Sequence, residues 1–369
     1  MRRTPLLLTV LTLCAPLALV GCGGSTIDPG TADDTGVASG DTGVATDGGD
    51  DAGGDGGPAD ASDSGKADGA GDGVADGGDG GPSVSADKAC SDLAAAYCGE
   101  ISTCAPIFID FVYGDVATCT SRLKAECLLT IGAPSVAETP SATEACASSI
   151  STLTCSDAFA KKSTGACVPI PGDRANGKPC GTYEQCSSGF CPIAADASCG
   201  TCAPSPHAGD PCVAGTCGQA LDCVSGKCQH PGTLGDACDP KATPCATSLS
   251  CRGGTCIAAA KAGEACDEGE VAAPKCDGAK GLFCNGLTKV CQKLGEAKAG
   301  EACGLVGSDV KVCVGGAFCR RATGTTFTGT CVAVAADGAA CNETDGPHCL
   351  APAKCVGGTC KLPDPTSCK

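Results

Sequence analysis

The chain has 369 residues, 36 of them cysteine, with no tryptophan and only seven Phe and three Tyr. About one cysteine in ten is the density of a disulfide scaffold, and cytosolic thiols are kept reduced, so an ordinary cytosolic enzyme with a large aromatic core is excluded. The formal net charge of −17 is concentrated in one acidic stretch, which leaves no basic surface for nucleic acid.

Residues 1–21 read as an export signal. Arg2 and Arg3 form the positive end and Leu6 to Val20 the apolar run, the pattern of a secretory signal. The run is too short and wrongly flanked for a spanning helix. It closes on Leu19-Val20-Gly21-Cys22, which resembles the lipobox of bacterial lipoproteins. That resemblance implies cleavage before Cys22 and a lipid on its thiol, so the expected membrane contact is a lipid anchor. Gly23 stands where an aspartate would retain such a protein at the inner membrane, which implies an outer-membrane lipoprotein on the periplasmic side or the cell surface. Several acyl chains on one cysteine anchor firmly, whereas one chain binds marginally.

Residues 22–87 carry the lipidation site and then a tract of Gly, Asp, Ala, Thr and Ser. From Gly23 to Asp87 there are fifteen Asp, one Lys and no aromatic residue. Such a composition buries no apolar surface, so a disordered, self-repelling tether is expected. A calcium-binding reading fails on spacing. The tract lacks the tight alternation and closing glutamate of an EF-hand loop, and the recurring apolar position of the nonapeptide calcium repeat.

Residues 88–171 change character. Tyr97, Phe108, Phe111, Tyr113 and Phe159 fall here, and Ala94, Tyr97, Cys98 and Ile101 recur at helical spacing. Asp115 is placed to cap a helix carrying Cys119, Leu123 and Cys127. Thr139-Pro140 opens another, with Ser141 and Glu144 spaced as a capping box. Gly114 and Gly132-Ala133-Pro134 are breaks. Eight cysteines lie in this part, so a bundle of about four helices stapled by four bridges is expected. Eight cysteines allow 105 connectivities, and spacing alone selects none.

Residues 172–369 form an array of six cysteine-bracketed copies. They open at Gly177, Gly209, Gly235, Gly263, Gly300 and Gly338, each three residues before a cysteine, and three or more cysteines follow each time. Each copy averages roughly 31 residues, below the ~40 that fold without covalent help, so bridges must replace the core. Glycine beside nearly every cysteine favours short strands and turns over helices. An apolar residue stands close before the third cysteine, as with Phe190, Leu249, Phe283 and Phe318. The expected fold is therefore small and disulfide-rich: a helical cysteine-stapled domain followed by six short β/turn repeats. Copies of this kind stack neighbour on neighbour, and a rod is the expected shape.

The repeats, such as Gly338-Ala339-Ala340-Cys341 through Gly357-Gly358-Thr359-Cys360, resemble the small modules of EGF-like and Dickkopf N-terminal type. The whole layout is similar to cysteine-rich surface lipoproteins of some Gram-negative bacteria. The shared features are framework cysteines and glycines, so the resemblance implies architecture and transfers no binding residue.

Chemistry is sparse. Cys199-Gly200-Thr201-Cys202 has the C-x-x-C spacing, but zinc needs four ligands, His207, His230 and His348 are not paired, and a redox pair needs a thioredoxin-like context. No metal and no cofactor is expected. G-x-S-x-G, H-E-x-x-H and the phosphate-binding G-x-x-x-x-G-K-[ST] are all missing. Asp267, Glu268 and Glu270 cluster in copy four as an exposed acidic loop. Phe318, Phe327 and Val332 read as the small core of copy five or as a partner patch. The expected function is non-enzymatic: binding or adhesion to a protein or glycan, with an inhibitor-like module acting on extracellular proteases as the alternative. Oligomeric state is left open by the sequence.

Parity adds one constraint. With Cys14 in the signal and Cys22 lipidated, 34 cysteines remain. If each copy closes on itself, one thiol of copy one and Cys368 are left over. An in-chain bridge from Cys368 to Cys199 or Cys202 is favoured over a bridge between chains, free thiols, or pairing across copies.

Overall fold

The computed structural model describes residues 84–162, 165–194, 197–321 and 327–369. Cys22, the signal segment and most of the tether lie outside the described residues. The described part is a small disulfide-rich fold with helices first and short antiparallel strand pairs after them.

Five helices form the first part. Helix α1 (Ala86–Cys104) is capped by Ser85, whose hydroxyl accepts the Lys88 N–H at 3.2 Å. It buries Ala94, Cys98 and Ile101, three of the four positions that recur at helical spacing, while Tyr97 is partly buried against the same core. It stops at Ala105 because Pro106 starts a new helix, α2 (Pro106–Val112), and disfavours a helical conformation in the residue before it. Gly114, at φ +85°, turns the chain. Asp115 then caps α3 (Val116–Ile131) by accepting the Thr118 N–H at 2.6 Å. Helix α4 (Pro140–Ile150) corrects the expected capping box. Thr139, not Ser141, is the cap, because Pro140 fits the first helical position, where its missing N–H costs nothing. Glu144 instead reaches Lys88 on α1 at 2.9 Å. Helix α5 (Cys155–Phe159) follows.

Four bridges staple the bundle. Cys90–Cys127 and Cys98–Cys119 tie α1 to α3, Cys104–Cys155 ties α1 to α5, and Cys146–Cys167 closes α4 on the turn after α5. The sulfurs of Cys98, Cys104 and Cys119 share the core with Ile101, Ile109, Tyr113, Leu123 and Phe159.

Copies two to six obey one bridge rule: the first cysteine pairs with the third and the second with the fourth. Copy two shows it as Cys212–Cys223 and Cys217–Cys228; copy six as Cys341–Cys355 and Cys349–Cys360. Copy one pairs Cys180 with Cys191 and Cys186 with Cys202, its fifth cysteine. Its strands are β1 (Pro179–Cys180) and β2 (Gly200–Thr201). In copies two to four a single hairpin carries the last two cysteines: β3 (Asp222–Val224) with β4 (Lys227–Gln229), β5 (Leu249–Arg252) with β6 (Thr255–Ala258), and β7 (Leu282–Cys284) with β8 (Cys291–Lys293). Copy five is larger. Strands β9 (Gly295–Ala297), β10 (Ala302–Val306), β11 (Asp309–Cys313), β12 (Phe318–Arg321) and β13 (Thr328–Val332) make a five-stranded sheet in the order β12-β13-β10-β11-β9. Copy six returns to one hairpin, β14 (Lys354–Val356) with β15 (Thr359–Lys361).

In copies two to six the third and fourth cysteines face each other across the strands, as Cys251 faces Cys256. Each is bridged away from its neighbour, so one hairpin anchors both ends of its copy. Ser225-Gly226, Gly253-Gly254 and Gly357-Gly358 hold positive φ at both turn positions, which suits the tight two-residue turn of a right-twisted hairpin. The opening glycines have a single structural cause. Gly235 sits at φ +90° with open space around it, and its N–H donates to the carbonyl of Cys256 at 2.8 Å. The Cys256 N–H returns the bond to Asp236 O at 2.8 Å. All six copies repeat this exchange between the opening and the last bridged cysteine.

The array is not a rod. Cys199 is bridged to Cys368, 169 residues away, so copy one meets the end of copy six. Every copy also touches the helical bundle. In copy one, the Gln185 amide donates to Pro134 O at 2.9 Å. Copy two meets Lys161 through Asp222 at 2.5 Å. Ala246 and Leu249 of copy three and Ala279 of copy four join the helical core. Copy five donates from Gly315 and Gly316 to the carbonyls of Asp110 and Phe111, both at 2.7 Å. Copy six presents Asp337 to Arg122, whose guanidinium binds both carboxylate oxygens at 2.6 and 2.9 Å and also the carbonyls of Leu350 and Ala351. The copies therefore run round the bundle as a closed ring with the helices as its hub. A rod would leave these hub contacts unmade and hold Cys199 and Cys368 apart, beyond the ~7 Å that a bridge can span.

Candidate interaction surface

The residues that suggested chemistry are committed elsewhere. Cys199 and Cys202 belong to different bridges, one to Cys368 and one to Cys186, so their C-x-x-C spacing makes no redox pair. The cysteine triplets of the copies have sulfurs close enough to share an ion, but all of those sulfurs are disulfide-bonded and offer no thiolate.

The copy-four carboxylates are loop braces. Asp267 accepts the N–H groups of Gly269, Val271 and Ala272 at 3.1, 3.1 and 2.9 Å, and these bonds hold its carboxyl below the usual carboxylate range. Glu268 accepts the Cys284 N–H at 3.3 Å. Glu270 departs from the expected exposed loop. It is buried, accepts the Cys251 N–H at 2.7 Å, and pairs with Lys275 at 3.3 Å. It thereby locks copy four onto copy three.

That bracing presents two aliphatic side chains to solvent. Val271, on the loop fixed by Asp267, is 83% exposed, and Leu287 is 96% exposed. Leu287 rides a turn held by Asn285, whose side-chain oxygen accepts the Leu287 and Thr288 N–H groups at 2.9 and 3.2 Å. The two loops share a base, because the Cys266 N–H donates to Lys289 O at 2.9 Å. The copy-five aromatics divide. Phe318 stacks on the His348 ring of copy six with centroids 4.2 Å apart, while Phe327 is half exposed. The expected small core of copy five is thus partly a joint between copies.

Among the described residues, clefts along the ring include two between its parts. One, of about 380 Å³, runs between Cys104, Phe159 and Lys162 of the hub and Leu234, Leu249 and Lys280 of copies three and four. The other, of about 450 Å³, lies between copies one and two and is lined by Val168, Pro171, Ser188, Pro206, His207 and His230. Among the described residues no single helix is long and apolar enough to cross a membrane.

Sequence reasoning missed the groups that seat the ring. Gln185 is fully buried, accepts the Gly181 N–H at 2.7 Å and donates to both Pro134 O and Pro365 O. Arg122 and Glu126 lie on α3, and only Glu126 left a signal: it follows Leu123 by three positions, on the face that carries Cys119 and Leu123.

The fold and this surface define a small disulfide-rich repeat protein. No family model, curated protein or solved structure matches the chain.

Proposed function

We propose that the chain is a lipid-anchored, non-enzymatic surface protein of the outer membrane. The Asp/Gly tether carries a disulfide-stapled ring away from the membrane for contact with a protein or glycan. The anchor rests on Leu19-Val20-Gly21-Cys22. The repeats retain their similarity to EGF-like and Dickkopf N-terminal modules in cysteine and glycine framework alone. One observation carries the binding role. Copy four uses its polar side chains to stiffen two loops whose tips are aliphatic and almost fully in solvent. Rigid loops lose little conformational entropy when a partner closes on them.

The anchor is tested by mass spectrometry of the mature N-terminus, which should show an acylated Cys22, and by Cys22→Ser, which should release the protein from membranes. A soluble, unmodified wild-type chain contradicts the proposal. Protease treatment of whole cells should remove the ring if it faces outward. A hydrolysis screen with glycan and peptide substrates tests the non-enzymatic reading, and turnover lost on a single Asp or Glu substitution would sink it.

The braced loops also favour a second reading, an inhibitor-like module for extracellular proteases. Inhibition of a protease that accepts aliphatic side chains, abolished by Val271→Asp or Leu287→Asp, would establish it over simple adhesion.

A further inference from the structure

The seam where the ring closes contains a carboxyl oxygen that the fold gives no hydrogen-bond partner. Glu126, on α3, is 9% exposed, and its Oε2 is buried without a hydrogen bond. Around it meet three parts of the molecule. Copy one brings Tyr183 and Glu184, copy six brings Lys354, and α3 itself brings Arg122, already bound to Asp337. Glu138, before α4, is a further acidic group whose charge raises the pKa of both Glu184 and Tyr183. The neighbouring elements keep their own charges occupied: α1 sets Asp87 against Lys124 at 2.8 Å, and the tail uses Asp364 to hold the Thr366 N–H at 3.0 Å.

The backbone packs closely at the same place. Gly172, on the linker into copy one, approaches the carbonyls of Ser135, Glu184 and Gln185 so nearly that a Cβ there would lie 2.2 to 2.4 Å from all three oxygens. Carbonyl oxygens and acidic side chains thus crowd one buried joint, and an ionised carboxylate there would be shut off from water with one oxygen unbonded.

We infer that the seam is a protonation-dependent latch: it closes around a neutral Glu126 and loosens when that group must ionise. Burial, and then the Glu184 charge, raise the Glu126 pKa from 4.5 to about 8, while Lys354 and Arg122 act in the opposite direction. Exposed in an opened seam, the group would titrate near its ordinary value. The closed seam therefore binds the proton more tightly than the open one. Closure is fully favoured below about pH 4.5, weakens steadily up to about pH 8, and is pH-independent above that.

The test is amide exchange on the full-length protein, corrected for the intrinsic pH dependence of exchange. It is read at Gly181, Gln185 and Cys186 in the seam, and at the β5–β6 hairpin as an internal control. Between pH 5 and pH 8.5 seam protection should fall by up to about 10³-fold, the span between the two pKa values, while the hairpin stays unchanged. Glu126→Gln should flatten the seam response. Glu184→Gln, which removes one like charge, should move its midpoint to lower pH and leave protection at pH 5 intact. A pH-independent seam in the wild type overturns the inference. So does a response that persists in Glu126→Gln, or calcium chloride restoring wild-type protection at pH 8.5, which would make the cluster a cation site instead.

Discussion

The hub and a repeat copy differ in what fills them. The hub surrounds its bridges with aliphatic and aromatic side chains, among them Ile101, Ile109, Leu123 and Phe159. The interior of copy four is Ala260 and four bridged cysteines, with Leu282 packed against them. The hub thus adds bridges to a small hydrophobic core, while a copy has bridges in place of one. The second lesson concerns placement. Two bridges shape each copy locally but do not say where it sits. That comes from single polar or small groups meeting the hub, such as Gln185, Asp222, Ala279, Gly316 and Asp337.

Reduction should separate the two regions most strongly. Each copy loses two bridges of ~2–4 kcal/mol apiece, with little burial to compensate. In excess dithiothreitol the hairpin amides should exchange at the earliest time point, while α1 and α3 retain part of their circular-dichroism signal. Protected hairpins after full reduction would show a core beyond the cysteines.

Removing a hub contact comes next. Arg122→Ala breaks a two-oxygen pair with Asp337 and strips donors from Leu350 and Ala351, with the Arg122 side chain only 14% exposed. Asp337 is 38% exposed and water screens the pair, so the loss should cost about 1–2 kcal/mol, and exchange should rise in copy six while copy three is unaffected.

Glycine substitutions sharpen the contrast by sign. Gly235→Ala places a Cβ at φ +90° and should destabilise by ~1–2 kcal/mol. Gly99→Ala, inside α1 with open space around it, should stabilise by about 0.5–1 kcal/mol. Thermal melts read both.

The smallest expected effect on stability is at Leu287→Ser. At 96% exposure the change should stay within about 0.5 kcal/mol, while contact with a partner that uses this tip is lost.

Much of the local structure was legible. The opening glycines announced one backbone conformation, Asp115 and the helical spacing of Cys98 and Ile101 announced helices, and the odd count in copy one pointed to Cys368. One further signal went unread. The acid after the opening glycine in copies two to five accepts an N–H three residues back, as Asp236 does from Thr233 at 2.7 Å; this explains Asp210, Asp236, Glu264 and Glu301 at that position. The ring itself was hidden for a physical reason. Hydrophobic periodicity reports burial within an element, whereas the seating contacts include one Arg, one Gln, one Lys and a pair of glycines that meet segments up to 229 residues away. Such residues look like ordinary surface in a sequence.

The closed ring is tested most directly by peptide mapping without reduction. Trypsin after Lys361 releases Leu362–Lys369, whose only cysteine is Cys368. The closed ring requires that peptide to stay attached to the Ala175–Lys227 fragment, which holds Cys199, and tandem mass spectrometry should place the link at Cys199. Attachment to a fragment carrying Cys349, Cys355 or Cys360, or a free Cys368 thiol, would show that the array is open and that its copies do not close as independent units.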